Sequence, residues 1–309
     1  MTIPERIGVL GGGLIGMSWA ALFLAHGRDV TIVDSRADAK AEMVRFLEEA
    51  WGHLQALGLA EDDRLDNYMV TPDVEALEQA NYVQENLPDR LELKQEVLTR
   101  LETVIGADVP IASSTSSLKA SDIQADARHP ERIFVAHPMN PPHLIPMVEL
   151  VAGKSTALEV LDKAEAFYRA LGREVVRVKK EVTGHLMNRL TSALYREAVH
   201  MVASGIADVE DIDKAVAYGP GLRWSLMGPH MLYHLGGGAG GYRAYLDHLG
   251  PTQEARWKEL GESPLDEATK ARLVEGVDTA LAGESVEELA KRRDAALVAL
   301  LSLKKSHGF

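Results

Sequence analysis

His137 and Glu149 have the types and the spacing to move a proton. His137 closes the apolar run Ile133-Phe134-Val135-Ala136, and Glu149 lies inside Met147-Val148-Glu149-Leu150-Val151. Both runs read as strands, and the proline-rich turn between them can bring the two side chains together. A carboxylate beside an imidazole fixes the ring's tautomer and stabilises the imidazolium formed when the ring accepts a proton. Oxidation of a secondary alcohol needs such a base, because the hydroxyl proton must leave as the carbon-bound hydrogen departs as hydride.

A hydride acceptor has its own signature near the N-terminus. Gly11-Gly12-Gly13-Leu14-Ile15-Gly16 fits GxGxxG, follows the apolar run Arg6-Ile7-Gly8-Val9-Leu10 and opens a helical pattern. In that setting Gly11 permits the tight turn, Gly13 lets backbone approach a pyrophosphate, and Gly16 lets helix and strand pack closely. The pyrophosphate then sits at the positive end of the helix beginning at Leu14 and Ile15. The next strand ends in Asp34, placed to accept hydrogen bonds from the ribose hydroxyls of adenosine. A carboxylate there repels a 2′-phosphate, so NAD is expected rather than NADP; Arg36 lies two residues further on.

The elements that must position these residues alternate in the first 180 or so positions. Strands are expected at Ile7–Gly11, Val30–Asp34, Tyr82–Asn86, Val109–Ser113, Ile133–Ala136, Met147–Val151 and Glu174–Val178, with helical patterns between them. Residues 37–66 are too long for one crossover helix and read as a helical arm standing off the domain. After Glu181 the strand signal ends, and Leu186–Ser204, Val209–Tyr218, Asp266–Ala282 and Val286–Lys305 carry helical spacing. The expectation is a Rossmann-type α/β fold, doubly wound with a mostly parallel sheet (residues 1–181), followed by an all-α C-terminal domain (residues 182–309). The glycine run Gly236–Gly241 follows a helical pattern and no strand, so a hinge or tight turn is expected there, not a second phosphate loop.

Composition narrows the function classes. The chain has 309 residues, 46% hydrophobic and 26% charged, as in ordinary globular proteins. A formal net charge of −13 opposes nucleic acid and anionic membranes. No run approaches the roughly 18 apolar residues that span a bilayer. The absence of cysteine removes disulfides and thiolate chemistry and points to the cytoplasm. The first residues do not resemble a cleavable signal. His230 and His234 have the spacing of a metal pair but no third ligand at suitable spacing, so no metal is expected.

Four further blocks occur in order: Ser113-Ser114-Thr115-Ser116-Ser117, His137-Pro138-Met139-Asn140-Pro141, Glu149, and Gly184-His185-Leu186-Met187-Asn188-Arg189. Together they resemble the signature blocks of the L-3-hydroxyacyl-CoA dehydrogenase superfamily over nearly the whole chain. The resemblance implies that His137 is the base, that Glu149 orients it, and that Ser116 and Asn188 hold the reacting oxygen or the base. It also sets Glu85 near the nicotinamide, and Lys94 is assigned with it to the cofactor-binding residues. A homodimer formed through the helical domain is implied too. The sequence departs from the acyl-CoA pattern at Ser114, Thr183 and His185, where Asn, Pro and Phe are usual.

The implied substrate is a small hydroxy acid. Acyl-CoA members place lysines in the helical arm, whereas residues 41–66 here carry seven acids (Glu42, Glu48, Glu49, Glu61, Asp62, Asp63, Asp66) against Arg45 and Arg64. Such an arm repels a polyanion. The segment Gly221-Leu222-Arg223-Trp224-Ser225-Leu226-Met227-Gly228, with Gly236–Gly241, Gly250-Pro251 and Trp257, is similar to L-carnitine dehydrogenases. Arg223 and the run Ala136–Pro142 also resemble the λ-crystallin type, which are L-gulonate 3-dehydrogenases. Both groups act on free acids; a free carboxylate suits a bidentate arginine, and Arg223 is the candidate, with Trp224 beside it. Carnitine would also use aromatic faces, and Trp224, Tyr233, Tyr242, Tyr245 and Trp257 are close in sequence. For most of these rings, a place in the core or subunit interface is the expectation. Gulonate, a short acyl-CoA, and a crystallin-like protein without turnover stay open as alternatives.

Overall fold

A computed structural model describes residues 3–60 and 66–309. In the first part of the chain, β1 (Arg6–Leu10), α1 (Leu14–Ala25), β2 (Asp29–Val33), α2 (Ala39–Ala56) and β3 (Tyr68–Thr71) lead to β4 (Tyr82–Glu85) and α3 (Leu91–Leu101). They are followed by β5 (Ile111–Ser113), α4 (Ala120–Ile123), β6 (Ile133–Pro138), β7 (Met147–Ala152), α5 (Leu158–Ala170) and β8 (Glu174–Val178). The strands form one sheet in the order β3-β2-β1-β4-β5-β6-β7-β8. Pairing is parallel throughout except between β6 and β7. The first six positions have the dinucleotide-binding order, with the crossover from β1 to either side.

Helices cover both faces of the sheet, so the central strands are apolar on both. In β4, Tyr82 packs with Trp19, Phe23, Phe134, Phe167 and Tyr168, while the next residue, Val83, packs with Leu77, Leu98, Leu101, Ile111 and Ile123. Helix α1 is buried on all sides from Gly16 to Leu24. Its ring Trp19 lies 5.6 Å from Phe23 and 5.5 Å from Tyr168, centroid to centroid. Truncating the fully buried Phe23 to alanine is expected to cost roughly 3–5 kcal/mol.

All seven strands expected from the sequence are present, and the sheet has one more. β3 is a four-residue edge strand, partly exposed, that pairs only with β2. The expected arm is corrected by α2, which does not stand off. Its residues Met43, Leu47, Ala50, Trp51 and Leu54 recur at three- and four-residue spacing and are buried in the same core as α1. That apolar stripe outweighs the acids on the other face, of which Glu48 and Glu49 are exposed. Positions 61–65 of the expected arm lie outside the described residues.

The second part of the chain is helical: α6 (Met187–Ala203), α7 (Val209–Tyr218), α8 (Pro220–Trp224), α9 (Pro229–Gly236), α10 (Gly241–Trp257), α11 (Glu267–Leu281) and α12 (Val286–His307). The glycine run makes the tight turn between α9 and α10. A Cβ on Gly237 would meet the Gly241 carbonyl oxygen at 1.8 Å, and Gly241 itself has φ +61°. Ser285 and Glu288 form a reciprocal capping box at the start of α12.

The compact units are Met1–Arg189 and Leu190–Phe309, so the division between them falls inside α6. The first turn of α6 stays with the sheet because the sheet binds it: the Leu186 and Met187 amides donate to Glu149.

Candidate active site

The glycine turn performs the three tasks its sequence assigns. Gly11 has φ +94°, open to glycine but strained for other residues. A Cβ on Gly16 would sit 1.9 Å from the Gly11 carbonyl oxygen, so strand and helix meet there without side chains between them. Around Gly13 nothing lies within 4 Å of such a Cβ. The backbone at the start of α1 is therefore bare, as a pyrophosphate requires. Gly11, Gly13, Leu14, Ile15, Asp34, Asn86, Leu87 and Pro88 help line a cleft of about 650 Å³ at the carboxyl ends of the strands.

Asp34 and Arg36 are locked to one another and to the turn. Asp34 Oδ2 accepts from the Gly12 amide at 2.7 Å, and Oδ1 accepts from the Arg36 amide and Nε at 2.8 and 3.2 Å. The Arg36 guanidinium also donates to Glu42 at 2.6 Å and to the Gly12 carbonyl at 2.9 Å. Its hydrogen-bonding edges already face two carboxylates and a carbonyl. A 2′-phosphate entering beside Asp34 and Glu42 would meet negative charge, whereas ribose hydroxyls would find acceptors. These residues fit NAD.

Glu85 and Lys94, expected at the cofactor, are not among the residues that line the cleft. Both are completely buried and pair at 2.7 Å. Glu85 also accepts from the Leu87 amide and the Ser113 hydroxyl, and Lys94 donates to the Leu87 carbonyl at 2.8 Å. Neither charge is free for a ligand. A buried charge needs a full set of partners, and here those partners fix the Asn86–Pro88 turn.

β6 and β7 pair so that His137 stands directly opposite Glu149. Their side chains meet at 2.8 Å, His137 Nδ1 to Glu149 Oε2, both buried. A carboxylate only accepts, so Nδ1 carries the proton and Nε2 keeps its lone pair. Glu149 Oε1 accepts from the Leu186 and Met187 amides at 2.7 and 2.9 Å, at the start of α6. Burial alone would raise the Glu149 pKa; the bonds from His137, Met187 and Leu186 outweigh it and hold the carboxylate below its usual range.

His137, Ser116 and Asn188 line one cavity of about 380 Å³, with Asn86, Asp89, Ser114 and Asn140. Asn188 Nδ2 donates to the Ser116 carbonyl at 3.2 Å. Ile15, Asn86 and Leu87 line both this cavity and the dinucleotide cleft, so the two are neighbours. A hydroxyl beside His137 Nε2 and a ring reaching past Ile15 would meet where hydride transfer is possible.

Two residues of this region were not in the expected site. Asp89 accepts from the Ser116 amide and hydroxyl at 3.1 and 3.0 Å and from the Ser117 hydroxyl at 3.2 Å. Burial pushes the Asp89 pKa up; bonds from Thr115 and Ser116 and the Lys94 charge more than reverse that. Its position just beyond the carboxyl end of a parallel strand is the signal that could have found it. His185 is the other, noticed only as a departure. It is 1% exposed, its ring lies 5.2 Å from that of His137, and its Nε2 is 3.2 Å from the Thr115 carbonyl.

Arg223 and Trp224 lie in α8, in the second unit. Both are exposed, and the Arg223 guanidinium has no hydrogen bond or ion pair among the described residues. Tyr233, Tyr242, Tyr245 and Trp257 line a separate cavity within that unit. The His230 and His234 rings are taken by Tyr242, through its hydroxyl at 2.9 Å and its amide at 3.1 Å.

Known proteins resemble the chain along its length. It is 44% identical to L-carnitine dehydrogenase of Streptomyces coelicolor, over 97% of this chain and 96% of that one. It is 40% identical to L-carnitine dehydrogenase of Pseudomonas aeruginosa, over 100% and 98%. Among solved structures, 5-formyl-3-hydroxy-2-methylpyridine 4-carboxylic acid 5-dehydrogenase, an NAD-dependent dismutase, matches with a TM-score of 0.84 at 29% identity. That match covers 98% of this chain and 99% of that one. Residues 6–182 match the family described as 3-hydroxyacyl-CoA dehydrogenase, NAD binding domain, and residues 184–274 match 3-hydroxyacyl-CoA dehydrogenase, C-terminal domain. The chain is an NAD-dependent dehydrogenase and belongs to the 3-hydroxyacyl-CoA dehydrogenase family.

Proposed function

We propose that the chain oxidises L-carnitine, a free L-3-hydroxy acid, at C3 to the 3-oxo acid, yielding NADH and a proton. The observation that carries the chemistry is the His137–Glu149 pair, 2.8 Å apart, whose histidine lines a cavity next to the dinucleotide cleft. The substrate is carried by the L-carnitine dehydrogenases that resemble the chain over nearly its full length.

The substrate hydroxyl lies among His137, Ser116 and Asn188. NAD, bound along the glycine turn with its adenosine at Asp34, supplies the hydride acceptor. His137 Nε2 takes the hydroxyl proton as C3 gives up its hydride, and Glu149 stabilises the imidazolium formed. Asn188 donates to the developing carbonyl oxygen. The Ser116 hydroxyl, which rests on Asp89, turns to donate to the substrate oxygen and leaves that oxygen's single proton for His137 Nε2.

The active form is a cytoplasmic homodimer joined through the helical unit. Exposed apolar side chains there, including Val274, Val277, Val286 and Leu303, support an interface. Among the described residues no helix is long and apolar enough to cross a membrane. The test is an absorbance screen for NADH formation with L-carnitine, L-gulonate, 3-hydroxybutyrate and 3-hydroxybutyryl-CoA. Preference for carnitine is the expected result; preference for the thioester would replace it with an acyl-CoA substrate.

A further inference from the structure

Three tyrosines, a tryptophan and two carboxylates converge on one cavity of the helical unit. The cavity is about 640 Å³ and is lined by Tyr233 of α9 and by Tyr242, Tyr245, Asp247, Glu254 and Trp257 of α10. No lysine or arginine lines it.

The rings are fixed. Tyr233 and Tyr245 stack at 4.4 Å with planes 9° apart, and Tyr242 lies nearly parallel to Tyr245 at 6.2 Å. The Tyr245 hydroxyl accepts from Gln253 at 2.7 Å, and the Tyr242 hydroxyl bonds His230 at 2.9 Å. Tyr242 shares its hydroxyl with His230, while Tyr245 accepts and keeps its own proton, so the walls offer mainly ring faces. Trp257 is 64% exposed, leaving indole surface uncovered. Asp247 has only Arg243 near it, at 3.8 Å, and Glu254 has no ion pair among the described residues.

Aromatic faces attract cations through their negative π-surfaces, and nearby carboxylates add an undirected attraction. Asp247 and Glu254 can accept from a guanidinium or primary ammonium, but the walls are mostly ring face, which suits a cation whose charge lies under methyl groups. A quaternary ammonium has no N–H and a broad apolar surface, and it needs what these walls supply. We propose that this cavity binds a quaternary ammonium cation of the trimethylalkyl class, seated on the Tyr242 and Trp257 faces with Asp247 and Glu254 as counter-charges.

The choice of ligand rests on the carnitine reading above; the binding itself does not require turnover. The test is a fluorescence titration of the full-length protein with tetramethylammonium and with choline, using Trp257→Phe to assign the signal. The expected result is a saturable change from Trp257, with 3,3-dimethylbutan-1-ol, the neutral isostere of choline, at least roughly tenfold weaker. Tyr242→Leu should weaken binding roughly 5- to 30-fold, while Tyr242→Phe, which keeps the face, should retain it. The Asp247→Asn/Glu254→Gln double variant should weaken it too.

Lack of saturation, equal binding of the neutral isostere, or an unchanged titration in Tyr242→Leu would overturn the proposal. So would a response lost in Asp89→Asn, which would put the cation in the catalytic cavity, or a Trp257 shielded from acrylamide quenching by a second copy of the chain. His137→Ala should bind the cation as the wild type does while losing turnover. A cavity that fails to bind therefore leaves the dehydrogenase reading standing, and a failed dehydrogenase reading leaves the cavity testable.

Discussion

His137 and Glu149 face one another across the antiparallel β6–β7 ladder, and Glu149 is held from its far side by two amides at the start of α6. The base is thus oriented by a carboxylate that cannot turn away without breaking two further bonds. One turn of helix, one strand pair and one charge act together at this point.

Glu149→Gln keeps the shape of the side chain and removes the charge that stabilises the imidazolium. Turnover should fall by roughly 10²–10⁴-fold, the range set by general-base catalysis. NADH binding, followed by fluorescence titration, should be unchanged, since Glu149 is not part of the dinucleotide cleft.

Lys94→Met leaves Glu85 buried and uncompensated. Breaking a buried pair in this way destabilises by roughly 3–5 kcal/mol. Urea denaturation should show that loss, and the Glu85→Gln/Lys94→Met double variant should recover part of it. A larger KM for NAD should accompany the single change, because Lys94 also holds the Leu87 carbonyl in the cleft wall.

Asp34→Ser should relax the choice of dinucleotide. It removes the carboxylate that repels a 2′-phosphate and releases one edge of Arg36. The ratio of kcat/KM for NADP to that for NAD should rise roughly 10- to 100-fold, as expected for one charge-assisted contact. An unchanged ratio would show that Asp34 does not read the ribose.

Acid should destabilise the protein in two stages. Burial lowers the pKa of His185 and of His26 from the usual 6.5, so the folded state binds protons there less readily than the unfolded chain. Their contribution to stability is complete above 6.5 and is lost as pH falls through the lower folded values. Glu149 and Asp89, held below 4.5 and 3.8, add a second loss below those values. Urea midpoints measured against pH should follow this course, and His185→Phe should flatten the first stage.

Much of this arrangement is legible in the residues themselves. The glycine turn, Asp34, and the His137–Glu149 pairing follow from spacing because each depends on local geometry at the end of a strand. The helical segments of the second unit are legible for the same reason, as stripes at helical spacing. What the sequence hides is long-range. Whether α2 stands off or docks depends on the apolar face of α1 that it meets. Glu85 is expected near the nicotinamide from the family resemblance, with Lys94 assigned to the cofactor beside it; only the fold shows the two buried and paired with each other. Asp89 is an unremarkable turn residue until β5 brings Ser116 and Ser117 to it. β3 is too short, and too exposed, to carry a strand pattern of its own.

The central claim is that His137 takes the proton of an L-3-hydroxy acid while NAD takes its hydride. The most direct measurement is the initial rate of NADH formation from L-carnitine by the wild type and by His137→Ala, with NADH affinity measured on both. The account predicts turnover by the wild type, a loss of roughly 10²–10⁴-fold in the variant, and equal NADH affinity. Undiminished turnover in His137→Ala would contradict it.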